Sequence, residues 1–132
     1  MKVFPDDLLY NREHAWVRVE GDMATIGITD YAQEKLGEIL SLELPESDSY
    51  VERDEPFGSI ESAKGVFELL SPVSGEVINV NEDIIDDIGI INSDPHDTGW
   101  MMVVEMYDLG ELDDLLDAND YHQFVLREVE DD

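Results

Sequence analysis

Lysine is scarce in this chain, which places it at Lys2, Lys35 and Lys64 and nowhere else among 132 residues. Lys2 is terminal, and Lys35 sits in a helical stretch among acids, where a solvated ion pair accounts for it. Lys64 lies in the tetrad Ser62-Ala63-Lys64-Gly65, between two strand-like runs, Pro56–Ser62 and Val66–Leu70. Pro56 and Pro72 stand eight residues to either side of it. That near-symmetry predicts a β-hairpin with Lys64 at or beside its tip, flanked by the small residues Ala63 and Gly65. An amine so placed is open to a modifying enzyme, although an ordinary solvated turn lysine satisfies the same geometry. A Schiff-base nucleophile fits badly, because such a lysine needs burial or a cationic neighbour to lower its pKa.

Other chemistry is sparse. The chain has no G-x-x-x-x-G-K-[ST], no G-x-G-x-x-G and no H-E-x-x-H. His14, His96 and His122 share no metal-ligand spacing, and Asp83-Ile84-Ile85-Asp86-Asp87 lacks the order of a calcium loop. The absence of cysteine excludes disulfides, thiolate metal sites and a cysteine nucleophile. Acids number 34 against 7 bases, a net charge of −27, which disfavours nucleic acid and anionic membranes as partners. The charge suits high salt, where the Debye length falls to about 3 Å at 1 M, or basic protein partners. The longest apolar run, Trp100 to Val104, is far short of the roughly 20 residues that span a bilayer. The N-terminus turns acidic at Asp6-Asp7 without an apolar leader core, so a soluble, cytoplasmic protein is expected.

Hydrophobic residues make up 42% of the chain, enough for one folded domain with an acidic surface. Residues 14–19 and 23–28 read as a hairpin turning at Gly21-Asp22. Thr29 or Asp30 is placed to cap a short helix to Leu36, which Gly37 ends. Leu40, Leu42 and Leu44 alternate as a strand closed by Pro45. Residues 46–54 read as a polar loop and 82–98 as acidic and irregular. Beyond Gly110 the period becomes helical: Leu112, Leu115 and Leu116 fit one face, as do Tyr121, Phe124, Val125 and Val129, predicting a pair of helices. Trp16 and Trp100 are expected in or near the core. The pattern is a mainly β barrel or sandwich with short helices and a C-terminal helical tail.

The run Phe57-Gly58-Ser59-Ile60-Glu61-Ser62-Ala63-Lys64-Gly65, with Ser71-Pro72-Val73-Ser74-Gly75-Glu76-Val77 after it, resembles the lipoyl-lysine hairpin of the glycine cleavage system H protein family. The likeness extends along the chain. His14-Ala15-Trp16-Val17 is similar to the family's H-E-W-V, and residues 24–38 to its A-T-[IV]-G-I-T-x-x-A-Q-x-x-L-G-[DE]. Asn92-Ser93-Asp94-Pro95 with Gly99-Trp100 resembles its late N-x-x-P-x-x-x-G-W. Biotin hairpins carry M-K-M instead, and no methionine flanks Lys64.

The resemblance implies a hybrid barrel-sandwich of the lipoyl/biotinyl type: one carrier domain over 1–132, with a core at about 10–106 and a helical tail at about 109–129. It implies lipoic acid in amide linkage on Lys64, with Glu61 helping modifying enzymes recognise the hairpin and Glu68 as the candidate acid of a cleft that receives the arm. The chain would be a monomeric carrier, not an enzyme. Its partners would be a pyridoxal-phosphate glycine decarboxylase, a folate-dependent aminomethyltransferase, dihydrolipoyl dehydrogenase, and a lipoate ligase or lipoyl/octanoyl transferase. Five positions depart from the family. Ala15 replaces the acid expected to face the aminomethyl group, Phe67 a small polar residue, Glu68 the more usual aspartate and His96 a tyrosine, and Gly65 stands where alanine or another small residue is usual. Ala15 and Phe67 make the expected cleft less polar. An H-like carrier in sulfur-compound oxidation or lipoate relay would need no such cleft, and an unmodified acidic interaction domain would need no cargo.

Overall fold

The computed structural model describes residues 4–131, so Lys2 lies outside the described residues. Among the described residues nine strands form two antiparallel sheets. In the first, β1 (Leu9–Tyr10), β2 (Ala15–Glu20), β3 (Met23–Ile28), β9 (Met102–Met106), β8 (Gly75–Val80) and β5 (Tyr50–Val51) lie side by side in that order. The second holds β4 (Ile39–Glu43), β6 (Pro56–Ser62) and β7 (Gly65–Leu70). Val17, Ile26, Val77 and Val104 of the first sheet share one core with Ile39, Ile60 and Leu69 of the second. The expected mainly β fold is therefore a sandwich. Each sheet keeps two edge strands, so among the described residues no strand pairing closes a barrel.

The hairpin of β2 and β3 turns at Gly21-Asp22 as its sequence predicts, with Glu20 opposite Met23. Side-chain alternation along β2 serves two cores. Val17 enters the sandwich, whereas Trp16 enters a second cluster with Tyr10, Tyr31, Tyr121 and Val125. Trp16 is fully buried, and its Nε1 donates to the Pro95 carbonyl at 2.8 Å. Helix α1 (Asp30–Leu36) begins where the Thr29 hydroxyl accepts from the Ala32 N–H. It ends at Gly37, whose φ of 79° is open to glycine and strained for other residues.

Three expectations need correction. The loop at 46–54 contains β5, two residues paired with Gly75 and Glu76, too short for any periodicity to announce. The stretch 82–98 contains α2 (Glu82–Asp86) and α3 (Ile90–Ser93), which bury Ile84 and Ile91 beneath an otherwise acidic surface. The C-terminal pair of helices is a 3₁₀ turn, Leu109–Asp114, followed by one helix, α4 (Ala118–Asp131). Gly110 and a run of acids with no base at its C-terminal end make 109–116 a poor α-helix. Leu116 instead forms a β-bridge with Tyr10 through two backbone hydrogen bonds of 2.8 and 2.7 Å. On α4, Tyr121 and Val125 are buried as expected, whereas Val129 is exposed.

Gly27 shows how tightly the second cluster packs. A methyl group there would stand 2.7 Å from two indole carbons of Trp16, a ring already held by its bond to Pro95. Gly27→Ala should lower stability by about 1–3 kcal/mol with an unchanged m-value in urea. A loss below about 0.3 kcal/mol would show that the ring has room to move.

Candidate functional site

Strands β6 and β7 pair through Ser62 and Gly65, leaving Ala63-Lys64 as a two-residue turn. The Lys64 N–H donates to the buried Ser62 hydroxyl at 3.1 Å, and Gly65 takes a φ of 144°. That conformation explains glycine after the lysine in this chain. The lysine side chain is exposed. It is also tethered: Nζ donates to the Lys35 carbonyl at 2.9 Å, and the Ala63 N–H donates to the Glu38 carbonyl at 3.1 Å. The hairpin tip thus rests on the connection between α1 and β4.

Glu61 lies opposite Val66 and Ser41 in the second sheet, exposed, and accepts from the Ser41 hydroxyl at 3.1 Å. It is close to Lys64 on the same hairpin but does not line the cleft that contains Glu68. That cleft, of about 280 Å³, is shared by the edge strand β7, the C-terminal half of α1 and the loop before β2. Ile28, Ala32, Leu36, Phe67 and Leu69 give it apolar walls. Its charged lining groups, Glu13, Lys35 and Glu68, are exposed. Phe67 thus makes the cleft less polar, as expected. Ala15 is buried and paired with Ile28, and does not line the cleft.

Glu13 and His14 also line the cleft, a place that their positions in the sequence did not predict. Both depend on Asn11, whose Oδ1 accepts from the N–H groups of Glu13 and Ala15 at 3.0 and 2.8 Å. This brace holds a tight turn in which His14 takes a φ of 69°. The motif Asn-x-x-His-Ala was the available signal, since asparagine readily organises the backbone two to four residues onward. His14 Nδ1 lies 2.8 Å from the Tyr121 hydroxyl, and Nε2 lies 3.0 Å from Glu128. Glu128 also stands 3.7 Å from Lys35 Nζ. The Tyr121 hydroxyl is 2.8 Å from Thr29 Oγ1, which accepts from the Ala32 N–H. One set of proton positions satisfies the whole chain: Thr29 donates to Tyr121, Tyr121 to His14 Nδ1, and His14 Nε2–H to Glu128. Among the described residues no cluster of three or more histidine and acidic side chains could hold a metal ion. His96, by contrast, accepts from the Asp30 N–H at the start of α1.

Residues 8–128 fit the family model for the glycine cleavage H-protein. The chain belongs to that family. It is 50% identical over 121 residues to the glycine cleavage system H protein of a Geobacillus species, covering 92% of this chain and 95% of that one. Against the corresponding protein of Halalkalibacterium halodurans it is 48% identical, covering 97% and 100% of the two chains. A crystal structure of a glycine cleavage system H protein from Mycobacterium marinum superposes with a TM-score of 0.83 at 35% identity, over 91% of this chain and 97% of that one. Family members are lipoyl carriers without catalytic activity of their own, bearing lipoate on a lysine. They serve glycine decarboxylase, aminomethyltransferase and dihydrolipoyl dehydrogenase, and the chain is a carrier of that system. No helix among the described residues is long and apolar enough to cross a membrane.

Burial lowers the pKa of His14 below its usual 6.5, and the opposing pull of Glu128 is the smaller effect. The folded state therefore favours the neutral ring, matching the hydrogen-bond directions above. As pH falls through about 6.5, the unfolded chain takes up this proton first, so His14's contribution to stability declines toward its lower folded pKa. The urea midpoint of the wild type minus that of His14→Asn should fall between about pH 7.5 and pH 5.5. A difference that stays constant or grows on acidification would contradict the neutral assignment.

Proposed function

We propose that Lys64 is the lipoyl attachment residue and that the adjoining cleft receives the arm. The observation that carries this reading is an exposed amine on a two-residue turn, tethered to α1, whose last residues also line an apolar cleft. Amide formation removes a positive charge and adds a long stem, so each visit to a partner becomes effectively intramolecular. When bound, lipoate supplies a dithiolane that accepts and releases an aminomethyl group and electrons. This chain's residues present, shelter and dock it. Glu61, exposed three residues before Lys64, is the acid by which a lipoate ligase or lipoyl/octanoyl transferase reads the turn.

The cleft suits an alkyl stem ending in an amine. Apolar walls cover the stem, and a cation beside them needs anionic oxygens in reach. Glu68 supplies one carboxylate. Glu13 supplies another, two residues before the position where Ala15 has lost the family's acid. A carrier in sulfur-compound oxidation or lipoate relay has no amine to hold, so these two acids favour the glycine cleavage role. A cytoplasmic, monomeric protein goes with this reading, since the arm must meet a folate enzyme, a flavoenzyme and the modifying enzyme in turn.

Intact mass and peptide mapping after incubation with lipoate, ATP and a lipoate ligase test the assignment. The wild type should gain one lipoyl group on the Lys64 peptide, Lys64→Arg none, and Glu61→Gln should be modified about tenfold more slowly. No increment, or one on Lys35, would overturn it.

A further inference from the structure

A helix leaves its last carbonyls without intrahelical partners, and the Lys35 carbonyl is one of these. Gly37 turns the chain out of the helix while its N–H bonds back to the Gln33 carbonyl at 3.0 Å. The N–H that a continuing helix would bring to Lys35 belongs to Ile39, and it is taken by Asn92 Oδ1 at 3.0 Å. Asn92 Nδ2 donates to the Gly37 carbonyl at 3.0 Å and to Gln33 Oε1 at 2.8 Å. Asn92 therefore fixes the connection between α1 and β4 and leaves the Lys35 carbonyl to Lys64. The Lys64 stem passes over Gly37, where a methyl group would stand 3.7 Å from Cε.

We propose that the Lys35 carbonyl is a permanent anchor for the arm, holding Lys64 Nζ before and after acylation. This rests on Lys64 being the attachment residue. Acylation by an activated acyl donor, an adenylate or a carrier thioester, forms one C–N bond and breaks the acyl group's bond to its activating group. The ammonium gives up two protons and keeps one N–H, which donates to the same carbonyl. The anchored amide then starts the arm beside Lys35 and Leu36, at the wall of the cleft. Asn92 is a positioning residue in this scheme, acting through the connection and touching neither the arm nor its cargo.

The test is solvent exchange of the Lys64 amide N–H in the folded, lipoylated protein carrying ¹⁵N-lysine, compared with lipoyl-lysine amide in the same buffer. Exchange should be about three- to tenfold slower in the protein. Asn92→Ala, which leaves the net charge unchanged, should return it toward the free rate and so separate anchoring from repulsion of hydroxide by the acidic surface. Exchange at the free rate in the wild type, or slow exchange that Asn92→Ala leaves untouched in a folded protein, would overturn the anchor alone. Absence of any lipoyl amide at Lys64 would overturn the attachment reading as well.

Discussion

The hydroxyl of Tyr121 is the point on which the site's geometry turns. It sits 2.8 Å from both Thr29 Oγ1 and His14 Nδ1, on a ring stacked 4.6 Å from that of Tyr10. Through Thr29 it braces the start of α1, and through His14 it braces one wall of the cleft. The far end of α1 supplies the carbonyl to which Lys64 is tethered. Helix α4 is thus joined to the amine by a continuous series of hydrogen bonds and one rigid helix. Removing the phenol hydroxyl would take the hydrogen-bond partner from the buried Thr29 O–H and from His14 Nδ1, at a cost of about 1–3 kcal/mol for a buried group so left.

Two of the arginines have structural work beside so many acids. Arg18 lies over the Trp16 ring and donates to the His96 carbonyl at 2.9 Å. Arg53, two residues after β5, joins that loop to the 3₁₀ turn through Asp114 at 2.7 Å and Glu111 at 3.7 Å. Exposed ion pairs of this kind contribute little stability, so their value lies in fixing loops. Most acids remain on the surface. Such a field is compatible with high salt, which screens the mutual repulsion of the carboxylates, and equally with basic protein surfaces as partners.

Much of this was legible in the sequence because the signals were local. Thr29 and Gly37 bound α1 by capping chemistry, Gly21-Asp22 turns a hairpin, and the spacing of Pro56 and Pro72 centres Lys64 on its turn. The cleft was not legible as a place, because Glu13, Ala32 and Glu68 meet only through the topology of separate elements. Losing the acid at Ala15 suggested a less acidic cleft, whereas the Asn11 brace turns Glu13 into it. The 3₁₀ turn was misread because Leu112, Leu115 and Leu116 have helical spacing, while the Leu116 backbone is claimed by Tyr10.

Lipoyl attachment at Lys64, as proposed, makes the amine on this turn the working point of a glycine carrier. The most direct measurement is release of carbon dioxide from labelled glycine by glycine decarboxylase, supplied with this protein after lipoylation. The wild type should support release in proportion to its lipoyl content, and Lys64→Arg carried through the same treatment should stay at background. Fully lipoylated wild type that fails where a family relative succeeds, or Lys64→Arg that sustains release, would contradict it.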